Sequence, residues 1–459
     1  MVVELSMNEN ITRRFIEGLF RKYQRIPTGV CLQAKKCLLD YLGVTLGGAS
    51  YVVCKYPDFL QSYRGEAGNS SVLGTQLQLS ALDACMLNGF FAHVLELDDG
   101  HRRGMIHLGA AVITAILATG ETLRLSSEMV LKGIVMGYEV AVRCACAIQP
   151  GHKIRGYHVS GTCGTIGATM GVAFACGYNE KQMVASLDCA VTSAAGLLEI
   201  QEDASELKPY NLGRAAMDGV TAARMGKSGM PGPDDILGGK RGFLASMTDS
   251  PTSDYLVDFS NEDYAIEGIY QKVHAACRHC HPAIDAILEL RDKFNLKPEQ
   301  VGSIEVDTYK LAVGGHDHVQ VQGVSSAKLS IPFSVALALA TGRVGYADYN
   351  EGNIRNEFIR ELTQKVHVVE DEEFTEQSPA IRGARVVVRL ISGETFVATR
   401  LFPKGEPESP LDKTELEDKF SSLAAYSGLT DKERNAVLSE ISKVDFSINK
   451  IIDLLCKKS

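Results

Sequence analysis

The chain has 459 residues, 45% of them hydrophobic and 22% charged, and its 47 Lys and Arg against 56 Asp and Glu leave a net charge of −9. At about 100–200 residues per domain this length predicts two to four folding units, and the balance of apolar and charged residues excludes disordered, collagen-like and fibrous chains. Net acidity, the lack of a long Lys/Arg run, and the absence of Trp beside 16 Tyr and 16 Phe argue against neutralising phosphates or stacking bases, so no nucleic-acid partner is expected.

The first residues, MVVELSMNENITRRF, carry acids and amides early and contain no apolar stretch followed by a small-residue cleavage site. No export signal is therefore expected, the expected location is cytoplasmic, and the twelve Cys read as reduced thiols rather than disulfide staples. From Asn8 to about Leu244 apolar residues recur three and four apart, which predicts helices. The pattern is seen in IPTGVCLQAKKCLLDYLGVTLGG, where Gly47-Gly48 is read as the end of a helix, and in SALDACMLNGFFAHVLEL. It returns in LGAAVITAILATGETL, SEMVLKGIVMGYEVAVRCACAI and EKQMVASLDCAVTSAAGLLEI. Frequent Gly and Ala let helix axes approach closely, so one large bundle is expected. Gly156 to Asn179 lacks Asp, Glu, Lys and Arg and is long enough to span a bilayer. Its glycines, with His158, Ser160 and several Thr, make it a buried helix instead, and no membrane partner is expected.

After Asp249-Ser250-Pro251 the pattern changes. SIEVDTY (303–309) alternates apolar and polar residues, as does ARVVVRLISGETFVATRLF (384–402) around a Ser-Gly turn, and these are predicted strands. Helical patterns precede and separate them, at Pro282–Phe294, Ile331–Ala340 and Asn353–Gln364. A second, smaller α+β domain over about 270–400 is expected, and the tail from Lys413 to Lys458 reads as helical again, returning to the first domain.

Histidines cluster at His93, His101 and His107 around Glu96-Leu97-Asp98-Asp99, at His152 and His158, and at His274, His279 and His281. The stretch AHVLELDDGHRRGMIHLG (92–109) leaves a helix through acids into a Gly-punctuated loop, where side chains can converge on a cleft. The bland alternative is that Asp98 and Asp99 cap the next helix. Cys277-Arg-His-Cys280-His281 matches the C-x-x-C-H haem pattern, and with His274 it offers zinc-type donors. Haem attachment needs export, and no second C-x-x-C or H-x-x-H completes a zinc set, so neither cofactor nor metal is expected. Lys208 in ELKPYNLGRAA and Lys272 in YQKVHAACRHCHPAID are candidate clamps for substrate carboxylates. No phosphate loop, dinucleotide fingerprint or nucleophile elbow is present.

Six segments taken together resemble the MmgE/PrpD family, which holds 2-methylcitrate dehydratase, cis-aconitate decarboxylase and iminodisuccinate epimerase. They are LELDDGHRRGMIHLG (95–109), GYHVSGTCGTIGA (156–168), LKPYNLGRAAMDGV (207–220), KVHAACRHCHPAIDA (272–286), SSAKLSIPFSVALAL (325–339) and FPKGEPESPL (402–411), in family order. The resemblance implies a multidomain α and α+β fold, with a large all-helical domain over 1–265, completed by 405–459, and a smaller α+β lid domain over 266–404. It implies a homodimer with the active site between domains and no cofactor. Carried over, Asp98, Asp99, His107, His158 and Tyr309 are the expected catalytic residues. Glu96, His101, Lys208, Lys272 and Cys277 are the expected substrate contacts. Cys277 stands where the decarboxylases carry a histidine, Gly100 where many members have Thr, and Leu108 where they commonly have Pro.

The implied activity is that of a cofactor-independent lyase of the dehydratase type, acting on a small di- or tricarboxylic acid by proton transfer next to a carboxylate. An epimerase of a dicarboxylic acid derivative and a decarboxylase are the alternatives within the family, and a catalytically silent helical binding protein is the alternative outside it.

Overall fold

The computed structural model describes residues 10–202 and 205–456. Its N-terminal half is helical: α1 (Ile11–Tyr23), α2 (Thr28–Lys55), α3 (Ala81–Val94), α4 (Gly109–Leu123), α5 (Ser127–Ile148), α6 (Val159–Ala175), α7 (Glu180–Ser193) and α8 (Tyr210–Gly226). Several starts are set by local chemistry. The side chains of Ser80, Ser126 and Asn179 each accept a backbone N–H of the first turn of α3, α5 and α7.

Helix α6 is the centre of the bundle, with α4, α5, α7 and α8 packed around it. Every residue from Val159 to Ala175 is buried, as expected of a helix that is apolar or small-sided all round. Close approach to α5 depends on glycine. A Cβ at Gly137 would lie 2.9 Å from the Gly167 carbonyl oxygen, and one at Gly167 would lie 2.7 Å from that of Gly137. Gly167→Val is therefore expected to lower the melting temperature markedly, since forcing atoms into a packed core costs about 1–3 kcal/mol. Gly29→Ala should be neutral or stabilising, because nothing lies within 4 Å of a Cβ there. Thermal unfolding followed by circular dichroism distinguishes the two.

Gly47-Gly48 does not end a helix, contrary to the sequence reading. Helix α2 runs on to Lys55, and a Cβ at Gly48 would lie 1.9 Å from the Phe91 carbonyl oxygen of α3. Glycine serves here to let two backbones touch. Among the described residues the helix long and apolar enough to cross a membrane is α2 rather than 156–179, and 78% of its apolar window is buried within the protein.

The second region contains α9 (His281–Phe294), β1 (Val301–Thr308), α10 (Ile331–Thr341), β2 (Val366–Glu370), β3 (Ala384–Leu390) and β4 (Thr395–Arg400). The sheet order is β2-β1-β3-β4, with β2 parallel to β1 and the other pairs antiparallel. Val306 is opposite both Val368 and Val386. Ala384, Val386 and Val388 point inward from β3 into a core with Ile284, Ile287 and Leu290 of α9. Two details differ from the sequence reading. The pattern 353–364 is two helices, Glu351–Arg355 and Glu357–Gln364, broken where the Asn356 side chain accepts the Ile359 N–H. Strand β2 was not foreseen; three of its five residues are exposed, so it lacks a clean apolar alternation.

The tail forms α11 (Lys413–Tyr426), α12 (Asp431–Ser442) and α13 (Ile448–Leu455). It returns to the helical region, with Phe420 and Leu423 against Gly43 and Gly47 of α2, and with Asn449 donating to the Glu121 carbonyl of α4. The observed architecture is thus a large helical domain and a smaller α+β domain. Gly100–His101 pairs with Ile269–Tyr270 as a short antiparallel ribbon, and Arg102 bridges to Glu406 and Glu408. These contacts hold together the segments that surround the site.

Candidate active site

The loop after α3 turns sharply at Glu96, whose φ of 54° is left-handed, a conformation uncommon outside glycine. Its carboxylate is clamped between two ammonium groups: Lys208 pairs with one oxygen, and Lys272 lies 3.0 Å from the other and 3.0 Å from the Glu96 carbonyl. Burial opposes its ionisation, yet the two lysines hold the carboxyl well below its ordinary pKa. Asp98, also buried, lies 2.8 Å from His93 Nδ1 and 3.5 Å from His107 Nδ1. Burial again opposes the charge, but His93 beside it outweighs the penalty and holds the carboxyl below its ordinary pKa.

Asp99 caps α4. Its Oδ1 accepts the Gly109 N–H at 2.9 Å and its Oδ2 the Tyr138 hydroxyl at 2.5 Å. Burial pushes its pKa up to about 7, against those hydrogen bonds. The capping alternative considered from sequence thus describes Asp99, whereas Asp98 belongs to a histidine network.

The two central histidines are held in opposite tautomers. His107 Nδ1 is 2.8 Å from the Asp99 carbonyl oxygen; a carbonyl only accepts, so Nδ1 carries the proton and Nε2 offers a lone pair. His158 precedes α6, and its Nδ1 accepts from Asn211 Nδ2 at 3.0 Å, so its proton sits on Nε2. Burial pushes the pKa of His107 down to about 3. Burial and then Lys208 push that of His158 well below the ordinary imidazole value. Both rings are neutral at pH 7, one an acceptor and the other a donor.

Both line a cavity of about 100 Å³ together with Lys153, Lys208, Tyr270, Cys277, Arg278, His279, His316 and Arg382. It adjoins a wider opening of about 560 Å³ through the shared residues Met105 and Gln149. Among the described residues no carboxylate lines the inner cavity, although four cations do. Arg278 is paired with Glu406. Arg382 is buried, donates to the Arg102 carbonyl, and keeps its Nε without a partner. A buried guanidinium N–H left unpaired is costly, and an incoming carboxylate would satisfy it.

Of the residues expected from sequence, the cavity therefore brings together His107, His158, Lys208 and Cys277. Cys277 Sγ is 3.4 Å from His316 Nε2; burial would raise the thiol, but His316 outweighs it and the pKa falls to about 6. Glu96, Asp98 and Lys272 lie behind this wall as a buried charge network, not in it. Tyr309 is wholly buried, with its hydroxyl 2.6 Å from His279 Nδ1 and its pKa pushed up to about 12 by burial. It backs His279 rather than facing the cavity. His101 lines a different groove, with Arg103, Glu139 and Arg143, and its Nδ1 accepts the Gly104 N–H.

The sequence reading missed Arg382, Lys153 and His316. Arg382 lies in an unremarkable approach to β3. His316 follows Gly314-Gly315, a signal that could have flagged it.

The model of the MmgE/PrpD N-terminal domain matches residues 14–256, and that of the MmgE/PrpD C-terminal domain matches residues 274–443. Among curated proteins the chain is similar to the cis-aconitate decarboxylase-like protein oryM of Aspergillus oryzae, 25% identical over 453 residues and 92% of each chain. It is similar to the cis-aconitate decarboxylase of Mus musculus, 24% identical over 91% of this chain and 88% of the relative. It is also similar to the 2-methylcitrate dehydratase of Salmonella typhi, 22% identical over 92% of each.

Proposed function

The chain belongs to the MmgE/PrpD family, and on that premise we propose that it is a cofactor-independent lyase acting on a small di- or tricarboxylic acid. The observation that carries this reading is the cavity lined by Lys153, Lys208, Arg278 and Arg382, with no acidic side chain among the described residues, around two neutral histidines of opposite tautomer. Lys208 and Arg278 are paired with Glu96 and Glu406, whereas Lys153 and Arg382 have no carboxylate partner among the described residues and favour an anionic ligand. A substrate carboxylate would seat on Arg382 and Lys153, which also neutralise charge developing on that carboxylate when the neighbouring carbon loses a proton. Relatives named for decarboxylation of cis-aconitate and for dehydration of 2-methylcitrate support the same substrate class.

In the dehydration, His107 Nε2 takes the proton from carbon, and its Nδ1–H stays on the Asp99 carbonyl. His158 Nε2–H hydrogen-bonds the departing hydroxyl, which leaves with the proton that His107 Nε2 took from carbon. One C–H and one C–O bond break, a carbon–carbon double bond forms, water leaves, and both rings end neutral as they began. A base that passes its proton on, beside a hydrogen-bond donor for a hydroxyl, suits loss of water better than loss of carbon dioxide, whose leaving group needs neither. The decarboxylase relatives over nine-tenths of the chain favour the second reading, cis-aconitate decarboxylation.

Proton NMR in deuterated water with citrate-, methylcitrate-, aconitate- and aminodicarboxylate-type acids decides among these. New vinyl signals with loss of the hydroxylated acid are expected. Release of carbon dioxide from an aconitate would support the second reading, deuterium uptake without net product would indicate epimerisation, and no reaction with any acid would overturn the proposal.

A further inference from the structure

We propose that Cys277, His279 and His316 form a binding site for one soft divalent cation, zinc by preference, in the wall of the cavity. One ligand-type atom from each of the three lies within 4.8 Å of the others. The set is assembled across the α+β domain: Cys277 and His279 precede α9, and His316 ends the helix Lys310–His316. It is not the set suggested by the C-x-x-C-H spacing. Cys280 Sγ faces the Lys328 carbonyl, His274 Nε2 is 2.7 Å from Asp285, and His281 Nε2 is 3.2 Å from the Ala276 carbonyl.

The geometry suits a small tetrahedral ion. With zinc–sulfur and zinc–nitrogen bonds of about 2.3 and 2.0–2.1 Å, tetrahedral ligands stand about 3.6 Å apart, and Cys277 Sγ is 3.4 Å from His316 Nε2. His279 is oriented for the task, since Tyr309 engages its Nδ1 at 2.6 Å and leaves Nε2 as the nitrogen for a metal. Such a second partner on the far nitrogen is the usual support of a ligating imidazole.

His316 is the uncommitted member. Unlike His93, His152, His274 and His281, it has no hydrogen bond to a carboxylate, hydroxyl or carbonyl among the described residues, and its Nδ1 is buried without a partner there. It follows Gly314 and Gly315, which interrupt the helix with non-helical backbone, and a Cβ at either would meet nothing within 4 Å. The ring can therefore move the fraction of an ångström that closing three ligands on one ion requires. The other converging group, His93, Asp98 and His107, is already closed by mutual and backbone hydrogen bonds.

Three protein ligands leave a fourth position open to the cavity. Cys277 binds as a thiolate and its proton goes to solvent, with no change of oxidation state. Lys153, Lys208, Arg278 and Arg382 nearby disfavour a dication, so binding is weaker than in structural zinc sites and reversible. Zinc in this wall narrows the cavity and competes with the carboxylate, which makes it an inhibitor and not a requirement.

The test titrates cobalt(II) into metal-stripped protein in a thiol-free reducing buffer. One equivalent is expected to produce a thiolate-to-cobalt charge-transfer band and the visible bands of a tetrahedral ion, both abolished by zinc. Cys277→Ser should remove the charge-transfer band, and His316→Ala should weaken binding by about tenfold or more, with circular dichroism establishing that both variants fold. Absence of the band, its persistence in Cys277→Ser, or unchanged affinity in His316→Ala would overturn the site. None of these readouts depends on turnover, so failure of the proposed reaction leaves them interpretable.

Discussion

Replacing His107 by Gln is expected to lower kcat by about 10²–10⁴-fold, the usual worth of a positioned acid–base group, while KM changes little. Gln at 107 can still donate to the Asp99 carbonyl and still fills the space, but it has no basic lone pair equivalent to Nε2. His158→Gln displaces the hydrogen-bond donor to the leaving hydroxyl and should lower kcat by a smaller factor on a hydroxylated substrate. It should cost much less on a substrate whose leaving group needs no proton. The same assignment makes a direct statement about ionisation. Burial places His107 at about 3 and His158 well below the ordinary imidazole value. A depressed imidazole is neutral above its folded pKa, so neither ring should change charge between pH 5 and 8. In the free enzyme, ¹³C-labelled histidine NMR should show the signals lost in His107→Gln and His158→Gln staying flat over that range. A normally folded His107→Gln protein with wild-type kcat would remove His107 from the mechanism. A His107 signal that titrates near neutrality would contradict the neutral-base assignment.

Arg382→Ala is expected to cut kcat/KM for the carboxylate substrate by about 30- to 5000-fold, corresponding to about 2–5 kcal/mol for truncating one partner of a buried charge pair. In the free protein Arg382 has no carboxylate partner among the described residues. Its Nε is unsatisfied, and its single polar contact is the Arg102 carbonyl. Removing it should therefore cost the fold little and the substrate complex much. Arg382→Lys should recover only part of the loss, because an ammonium cannot make the paired N–H contacts of a guanidinium. Added guanidinium ion should restore activity to Arg382→Ala and do nothing for the wild type. The measurement is steady-state kinetics on the acid identified by NMR, with melting temperatures alongside. Wild-type kcat/KM in Arg382→Ala would show that the carboxylate seats elsewhere in the cavity.

Features set by local chemistry are legible in the chain alone. The helices from Ile11 to Gly226 follow from apolar spacing and capping side chains such as Ser80 and Asn179. The strands Val301–Thr308 and Ala384–Leu390 follow from alternation, and the tail was legible as helix from its periodicity. His107, His158, Lys208 and Cys277 were legible because each sits in a motif at a helix boundary or loop, where side chains are free to face a cleft. Only the tertiary structure decided which charges face one another. Lys208 and Lys272 look like substrate clamps in their motifs, but Glu96, 176 residues from Lys272, pairs with both ammonium groups. Asp98 and Asp99 are adjacent and look alike, yet one meets two histidines and the other a helix N-terminus and Tyr138. Arg382 and His316 carry no motif at all, and they matter because the α+β domain brings them to the wall that the helical domain begins. An ionic or hydrogen-bonded partner is chosen within about 3 Å, and separation along the chain says nothing about which group arrives there.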